Sequence, residues 1–467
     1  MPLTVLSHSQ LHSLLLSLTA DEIVSIQQNI AEALREYSTG SQDQGCSASY
    51  QPRRTAITRQ NGCTTLFMPA TTGQTLGIKM ISLEDGDAAG SAVESGLDSS
   101  EMAGAVDGHR ARSGPRDSTT SLSSSQSDES STSIDESNDR SSFLPSASVN
   151  DRGLSETMGA WPSAGSRDTS PKGSVMLLDT EGLPFGLINA QELTAFRTAL
   201  AALLLFRKRN RVRTITVFGA GRQAYWHIRL ALILRGSDIK RVYIFNRSFE
   251  RAVALLRDIY SPENSSWRGD VKFTALSNDF IEYQRILTQA VRKSDAIFCC
   301  TPSIEPLFPH ELLTSKEGRR KGRFISAVGS YKPHMAELHP EILKDEVTVP
   351  PPHRHFHHHT TPSGVVVVDS LGAAMKEAGE IIQADIKPHQ VVELGELMMV
   401  RDAQRGDPTT DDPDTPRGRE EKNLLKWIQK GNVIYKSVGL GLMDVVAGGG
   451  LVALAGQRGV GTLIADF

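Results

Sequence analysis

Cysteine is nearly absent, with only Cys46, Cys63, Cys299 and Cys300 in a chain of 467 residues. Thiols scattered at these intervals form neither a disulfide framework nor a zinc-ligand pattern. They imply a reducing compartment, read here as cytoplasmic. No apolar run reaches the roughly 18 residues a membrane-crossing helix needs. The leucines of the first 18 residues are broken by Ser, His and Gln with no basic residue ahead of them, so the segment does not read as a signal peptide. A formal net charge of -4 removes the electrostatic basis for nucleic acid or an anionic membrane as partner. Apolar residues make up only 39%, although the length suffices for two domains and an insertion. Part of the chain therefore buries no core.

That part is legible. Between residues 84 and 172 aliphatic side chains give way to serine and acids, most densely from 117 to 142. Such a segment cannot offset its ordering entropy and is expected to be a disordered insertion. A second polar stretch, 401–422, is expected to be a shorter flexible insertion. The His-rich run at 353–359 (His353, His355, His357, His358 and His359) has no cysteines or carboxylates arranged around it, so a solvated loop is expected and no metal site.

The remainder reads as folded. Ser7 with Gln10, and Thr19 with Glu22, are capping-box pairs opening two helices. Ile23, Ile26, Ile30, Leu34 and Tyr37 follow at helical spacing. Strands are expected at 3–6, 54–57, 64–68 and 76–81, and a hairpin at 174–178 and 184–188 around Asp179-Thr180-Glu181-Gly182. A helix from Gln191 should place Leu193, Phe196, Leu200 and Leu203 on one face. Beyond it, six apolar runs at 214–218, 241–245, 271–274, 296–300, 324–328 and 365–368 alternate with helical patterns. That alternation is the signature of a doubly wound parallel sheet covered on both faces, an α/β fold.

The first of these runs ends in Gly219-Ala220-Gly221-Arg222-Gln223-Ala224, a G-x-G-x-x-A pattern between a strand and a helix. One glycine makes the tight turn, the next lets backbone approach a pyrophosphate, and Ala224 allows close helix–strand packing, as in a Rossmann dinucleotide site. The second strand ends at Asn246-Arg247-Ser248, where an acid would hold the ribose 2′-hydroxyl of NAD. Arg247 and Ser248 suit a 2′-phosphate instead, so NADP(H) is favoured over NAD(H).

With these blocks Pro52-Arg53-Arg54-Thr55, Met68-Pro69-Ala70, Leu76-Gly77-Ile78-Lys79, Leu193-Thr194-Ala195-Phe196-Arg197-Thr198, Thr301-Pro302-Ser303, Ala327-Val328-Gly329-Ser330 and Tyr435-Lys436-Ser437-Val438-Gly439 occur in the same order. Together they resemble the ornithine cyclodeaminase/mu-crystallin family, whose members include cyclodeaminases, ketimine and imine reductases and amino-acid dehydrogenases. The resemblance implies a homodimer. It implies a discontinuous α+β substrate and dimerisation domain built from 1–83, 173–205 and the last strand and helices of 423–467, around a Rossmann domain at 206–400. It adds Thr301, Ser330, Ser437, Val438 and Gly439 to the cofactor residues, and assigns Arg54, Lys79 and Arg197 to the substrate carboxylate and reacting C–N bond. An Arg fork suits a carboxylate, and a lysine between two arginines should have a lowered pKa and can move a proton. Where cyclodeaminases carry an aspartate for the distal amine, this chain has Tyr331, expected to line the substrate pocket. The function expected is NAD(P)-dependent oxidoreduction at a C–N bond of a small amino or imino acid; ornithine cyclodeamination and nucleotide binding without turnover are the alternatives. Asp369-Ser370 is expected to face the cofactor cleft by position, and Asp444 to be a helix-start acid.

Overall fold

The computed structural model describes residues 2–40, 47–60, 62–84, 171–348, 365–402 and 416–467. The expectations for the serine-rich insertion and the His-rich loop fall outside these residues. Of the second polar stretch, 403–415 also lie outside them, and the residues on either side are helical. The helix Leu394–Asp402 runs into it and the helix Pro416–Lys430 begins inside it.

Alternation and turn chemistry make the first sheet. Seven strands, β1 (Leu3–Leu6), β2 (Thr55–Thr58), β3 (Cys63–Thr71), β4 (Leu76–Glu84), β5 (Lys172–Leu178), β6 (Pro184–Asn189) and β15 (Thr462–Ile464), lie in the order β15-β1-β6-β5-β4-β3-β2. All neighbours are antiparallel except β1 and β6. The β5–β6 hairpin forms as expected, its turn closed by Asp179, whose Oδ1 accepts from the N–H groups of Glu181 and Leu183, both at 2.9 Å. β4 and β5 pair from Leu76↔Leu178 to Ser82↔Lys172. The chain between them thus leaves and returns at adjacent points, a geometry that tolerates long insertions because closure entropy grows slowly with length.

Two helices precede β2: α1 (His8–Leu16) and α2 (Ala20–Thr39) open on the two expected capping boxes. Ile23, Ile26, Ile30, Leu34 and Tyr37 of α2 are all buried. The next helix, α3 (Ala190–Phe206), departs from the one-faced pattern. Every residue from Leu193 to Phe206 except Thr194 is buried, because α3 packs on α1 and α2, on β4, β5, β6 and β11, and on two helices later in the chain. A helix apolar nearly all round is a core helix.

The second sheet has eight strands, all parallel: β7 (Thr214–Phe218), β8 (Arg241–Phe245), β9 (Lys272–Leu276), β10 (Ala296–Cys299), β11 (Phe324–Ala327), β12 (Val366–Val368), β13 (Val391–Glu393) and β14 (Val433–Lys436). Their order is β13-β12-β14-β11-β10-β7-β8-β9. The order reverses between β7 and β10, the switch point where doubly wound folds bind ligands. Successive side chains divide between two apolar cores. Ile215, Val217, Val242, Ile244 and Phe298 belong to one, and Phe218, Tyr243, Phe245 and Ile297 to the other. The six expected runs are all strands. β13 and the position of β14 are additions: β14 enters the middle of the sheet from far along the chain, and its terminal Lys436 masks its apolar character.

Phe206, fully buried at the end of α3, packs edge-on to Phe298 with centroids 5.5 Å apart and lies 6.0 Å from Phe324. Phe206→Ala should destabilise the protein by roughly 3–5 kcal/mol through lost burial and a cavity. Denaturant unfolding measures this, and a loss below about 1 kcal/mol would show that α3 is not clamped on the parallel sheet.

Candidate active site

The tight turn after β7 brings backbone to the switch point. Gly219 has φ +108 and donates its N–H to the Phe245 carbonyl at 2.8 Å. A Cβ there would lie 2.8 Å from the Cys300 carbonyl oxygen, so only glycine fits between β7 and the end of β10. At Gly221 the opposite holds, since an added Cβ would meet nothing within 4 Å. Gly221 begins α4 (Arg222–Arg235) without a capping side chain, which leaves the first-turn N–H groups of the helix uncapped beside open space. Ala224 is fully buried, as its packing role requires. The glycine cradle, the bare helix N-terminus and the cleft beside them fit a dinucleotide pyrophosphate.

One cleft joins this loop to the expected substrate residues. Gly221, Arg222 and Gln223 line it together with Arg54, Lys79, Arg197, Tyr331, Ser437, Val438 and Gly439. Lys79 lies on β4, paired in register with Met68 of β3. Pleating sets Lys79, Ile81 and Leu83 on the same face as Leu66 and Met68, so the lysine ends an otherwise apolar wall of the cleft.

Lys79 is 1% exposed and donates from Nζ to Oδ1 and Oδ2 of Asp444 at 3.0 and 3.1 Å. Asp444 sits in the first turn of the C-terminal helix, Gly441–Arg458, and is fully buried. It is thus the helix-start acid expected, and also the anion shared by two cations. Arg197, on α3, brings Nε within 3.1 Å of Asp444 Oδ2 without hydrogen-bond alignment, and its Nη1 is 3.9 Å from Met443 Sδ. Gly439, at φ +90, makes room for this guanidinium, because a Cβ there would lie 3.3 Å from Nη2. Arg54, just before β2, pairs with Glu377 of the helix Leu371–Glu377. Buried Asp369 also acts electrostatically on Arg54, so Lys79, Arg197 and Arg54 have Asp444, Glu377 and Asp369 around them.

Burial lowers the Lys79 pKa to about 8; Asp444 opposes this, and Arg197 and Arg54 reinforce it. Burial likewise lowers the Arg54 pKa.

Other expected residues are placed differently. Asp369 is not among the residues lining the cleft and is fully buried, accepting from Ser437 Oγ and Gly439 N–H at 2.7 Å and from Val438 N–H at 3.2 Å. It anchors the loop that lines the cleft, because backbone N–H groups beyond the end of β14 need an acceptor there. Ser370 bonds the Tyr37 hydroxyl at 2.9 Å. Thr301 and Ser330 are absent from the cleft lining. The Ser330 hydroxyl turns instead to buried Glu380 and Lys436. Asn246 donates to the Ser248 carbonyl at 2.8 Å, and Ser248 caps α5 (Phe249–Ile259) while bonding Glu250 at 2.7 Å. Arg247 is exposed at the end of β8. The roles of Glu377, Glu337, Glu380 and Lys436 were missed: an isolated charge reads as surface, and only packing buries the last three.

Among the described residues no cluster of three metal-ligating side chains occurs, and no helix is long and apolar enough to cross a membrane.

Three comparisons bear on this site. The family model described as "Ornithine cyclodeaminase/mu-crystallin family" matches residues 163–409. An uncharacterised protein of Saccharomyces cerevisiae is 30% identical over 294 residues, spanning 59% of this chain and 72% of that relative. A Delta(1)-pyrroline-2-carboxylate reductase of Bacillus cereus is 26% identical over 301 residues, spanning 62% and 74%. In fold, the chain is similar to the Thermococcus litoralis Delta(1)-pyrroline-2-carboxylate reductase solved in complex with NADH and L-proline, with TM-score 0.57, 17% identity, and coverage of 99% of this chain and 100% of that one. The matched span covers more than half of the 467 residues, and with the cleft just described it establishes that this chain belongs to the ornithine cyclodeaminase/mu-crystallin family.

Proposed function

We propose that this protein is an NAD(P)-dependent oxidoreductase that reduces the C=N bond of an α-imino acid, or runs the matching amino-acid oxidation. The observation carrying this reading is the buried Lys79–Asp444–Arg197 cluster in the same cleft as the glycine loop. The substrate and cofactor named for the Bacillus and Thermococcus relatives support it.

In this reading Arg54 and Arg197 grip the substrate carboxylate, which a guanidinium fork suits. Lys79 donates a proton to the nitrogen during reduction and takes it back in the reverse direction. Asp444 keeps Lys79 protonated close to neutrality against the desolvation that lowers its pKa. The wall of Leu66, Met68, Ile81 and Leu83 excludes water and accepts an apolar substrate body. No carboxylate occurs among the described residues lining the cleft, and Tyr331 lines it where a distal ammonium would need an acid. This disfavours ornithine as substrate. A nicotinamide dinucleotide, when bound, supplies the reducing equivalent; Gly219, Ala220, Gly221, Arg222 and Gln223 would hold its pyrophosphate. The absence of an acid at Asn246-Arg247-Ser248 favours NADP(H). The reading includes a homodimer.

Purified protein with NADPH should consume the reduced nucleotide on a panel of cyclic and linear ketimine carboxylates, and Lys79→Ala should lower kcat by about 10²–10⁴. The wild-type reductive rate should fall as pH rises through about 8, where Lys79 loses its proton. No turnover across the panel, or an unaffected Lys79→Ala, would overturn the assignment. Proline and ammonia formed from ornithine without net nucleotide consumption would replace it with cyclodeamination.

Gly221→Val should leave the melting temperature within a few degrees of wild type while abolishing nucleotide binding, because its side chain enters the open space of the cradle. Gly219→Val should lower the melting temperature, since it meets the Cys300 carbonyl at a left-handed φ. If Gly221→Val binds NADPH normally, the pyrophosphate lies elsewhere.

Arg247→Ala should weaken NADPH binding roughly tenfold and leave NADH unchanged, the expected loss of a charge-assisted contact. Equal effects on the two nucleotides, or tighter wild-type binding of NADH, would contradict the NADP(H) preference.

A further inference from the structure

The parallel pairing of β10 with β11 runs from Ala296↔Phe324 to Cys299↔Ala327 and is extended by one bond, from Val328 N–H to the Cys299 carbonyl at 3.1 Å. Beyond that point both strands become loops whose residues Cys300, Pro302, Val328, Gly329 and Tyr331 line the cleft. The loops touch so closely that a Cβ on Gly329 would lie 2.1 Å from the Thr301 carbonyl oxygen. Their buried N–H groups have no further ladder to enter and need acceptors.

A single carboxylate supplies them. Glu337 is fully buried, and its Oε1 accepts from Thr301 N–H at 2.7 Å and from the Thr301 hydroxyl at 3.3 Å. Its Oε2 accepts from Gly329 N–H at 2.6 Å and Ser330 N–H at 3.3 Å. One oxygen serves each loop, so the carboxylate acts as an extra rung joining two strand ends. Glu337 is itself fixed: its N–H donates to Glu380 Oε1 at 2.7 Å, and Glu380 lies 3.3 Å from Lys436 Nζ. Lys436 Nζ in turn donates to the Ser330 carbonyl at 2.6 Å.

We propose that Glu337 is a positioning residue that clamps the β10 and β11 loops into one rigid wall, and that this wall seats the nicotinamide half of the dinucleotide. The inference rests on the dinucleotide reading. The glycine loop borders one part of the cleft and the cationic cluster another, so the reacting ring has to lie between them, against the wall Glu337 holds. Glutamine in its place keeps one acceptor but turns an amide donor toward N–H donors, so it releases one of the two loops. Aspartate is one methylene shorter and cannot span both.

The test compares two ligands on the full-length protein. Glu337→Gln should weaken NADPH binding at least tenfold while changing the affinity for 2′-phospho-ADP-ribose, which lacks the nicotinamide, less than twofold. Glu337→Asp should behave alike. Equal losses for both ligands, or none for NADPH, would overturn the proposal. Wild-type protein that binds neither ligand would overturn the dinucleotide reading and this one with it.

A second readout needs no variant. Burial pushes the Glu337 carboxyl up to about 7; Lys436 opposes this and Glu380 adds to it. The other titratable groups facing it are the Cys299 and Cys300 thiols, which burial keeps protonated. Protonated Glu337 loses an acceptor toward one loop. Wild-type NADPH affinity should therefore fall more steeply than 2′-phospho-ADP-ribose affinity as pH drops from 8 to 6. Parallel pH dependence of the two ligands would count against the clamp.

Discussion

One buried carboxylate ties together segments from far apart in this chain. Asp444 lies within hydrogen-bond reach of Lys79 from β4 and within ion-pair distance of Arg197 from α3, while itself belonging to the C-terminal helix. Three segments widely separated in the chain meet at one anion. Buried ions lose hydration worth several kcal/mol each, which the pairing must offset, and removing one partner leaves uncompensated charge. Two cations share one acid, and Arg54 with Glu377 stands beside them. Burial lowers the Lys79 pKa to about 8; Asp444 opposes this, and Arg197 and Arg54 add to it.

Across the cleft the problem is the reverse, a surplus of donors. Parallel strands end abruptly and leave backbone N–H groups buried. Two acids meet that demand. Asp369 receives the Val438 and Gly439 N–H groups beyond β14, and Glu337 those of Thr301, Gly329 and Ser330 beyond β10 and β11. Asp369, expected at the cleft by position, and Ser330, assigned to the cofactor by the resemblance, instead bond the segments next to the cleft lining. Preorganisation of this kind, a rigid cleft built before ligand arrives, is where enzymes of this sort obtain much of their rate.

Legibility in the sequence followed the range of the interactions. Both capping boxes, the buried stripe of α2, the β5–β6 hairpin and the glycine turn are local, decided by side chains within a few residues of one another. The six apolar runs were readable because a strand buried on both faces must be apolar at every position. β13 and the central place of β14 were not, since three or four residues carry little pattern and Lys436 looks like a surface residue until Glu380 is packed against it. Arg54, Lys79 and Arg197 were found through a resemblance; their isolated charges say nothing by themselves.

The sequence alone determined the fold class and the glycine turn, because strand periodicity and the backbone freedom of Gly219 are written in consecutive residues; the cationic trio came from the resemblance. Only the tertiary structure decided what those cations face. It made Asp444 a shared counter-ion, placed Asp369 and Ser330 outside the cleft lining, and set Glu337 across two loops. Long-range burial assigns those roles, since a carboxylate's partners and pKa depend on which donors the fold brings to it and how much water it removes.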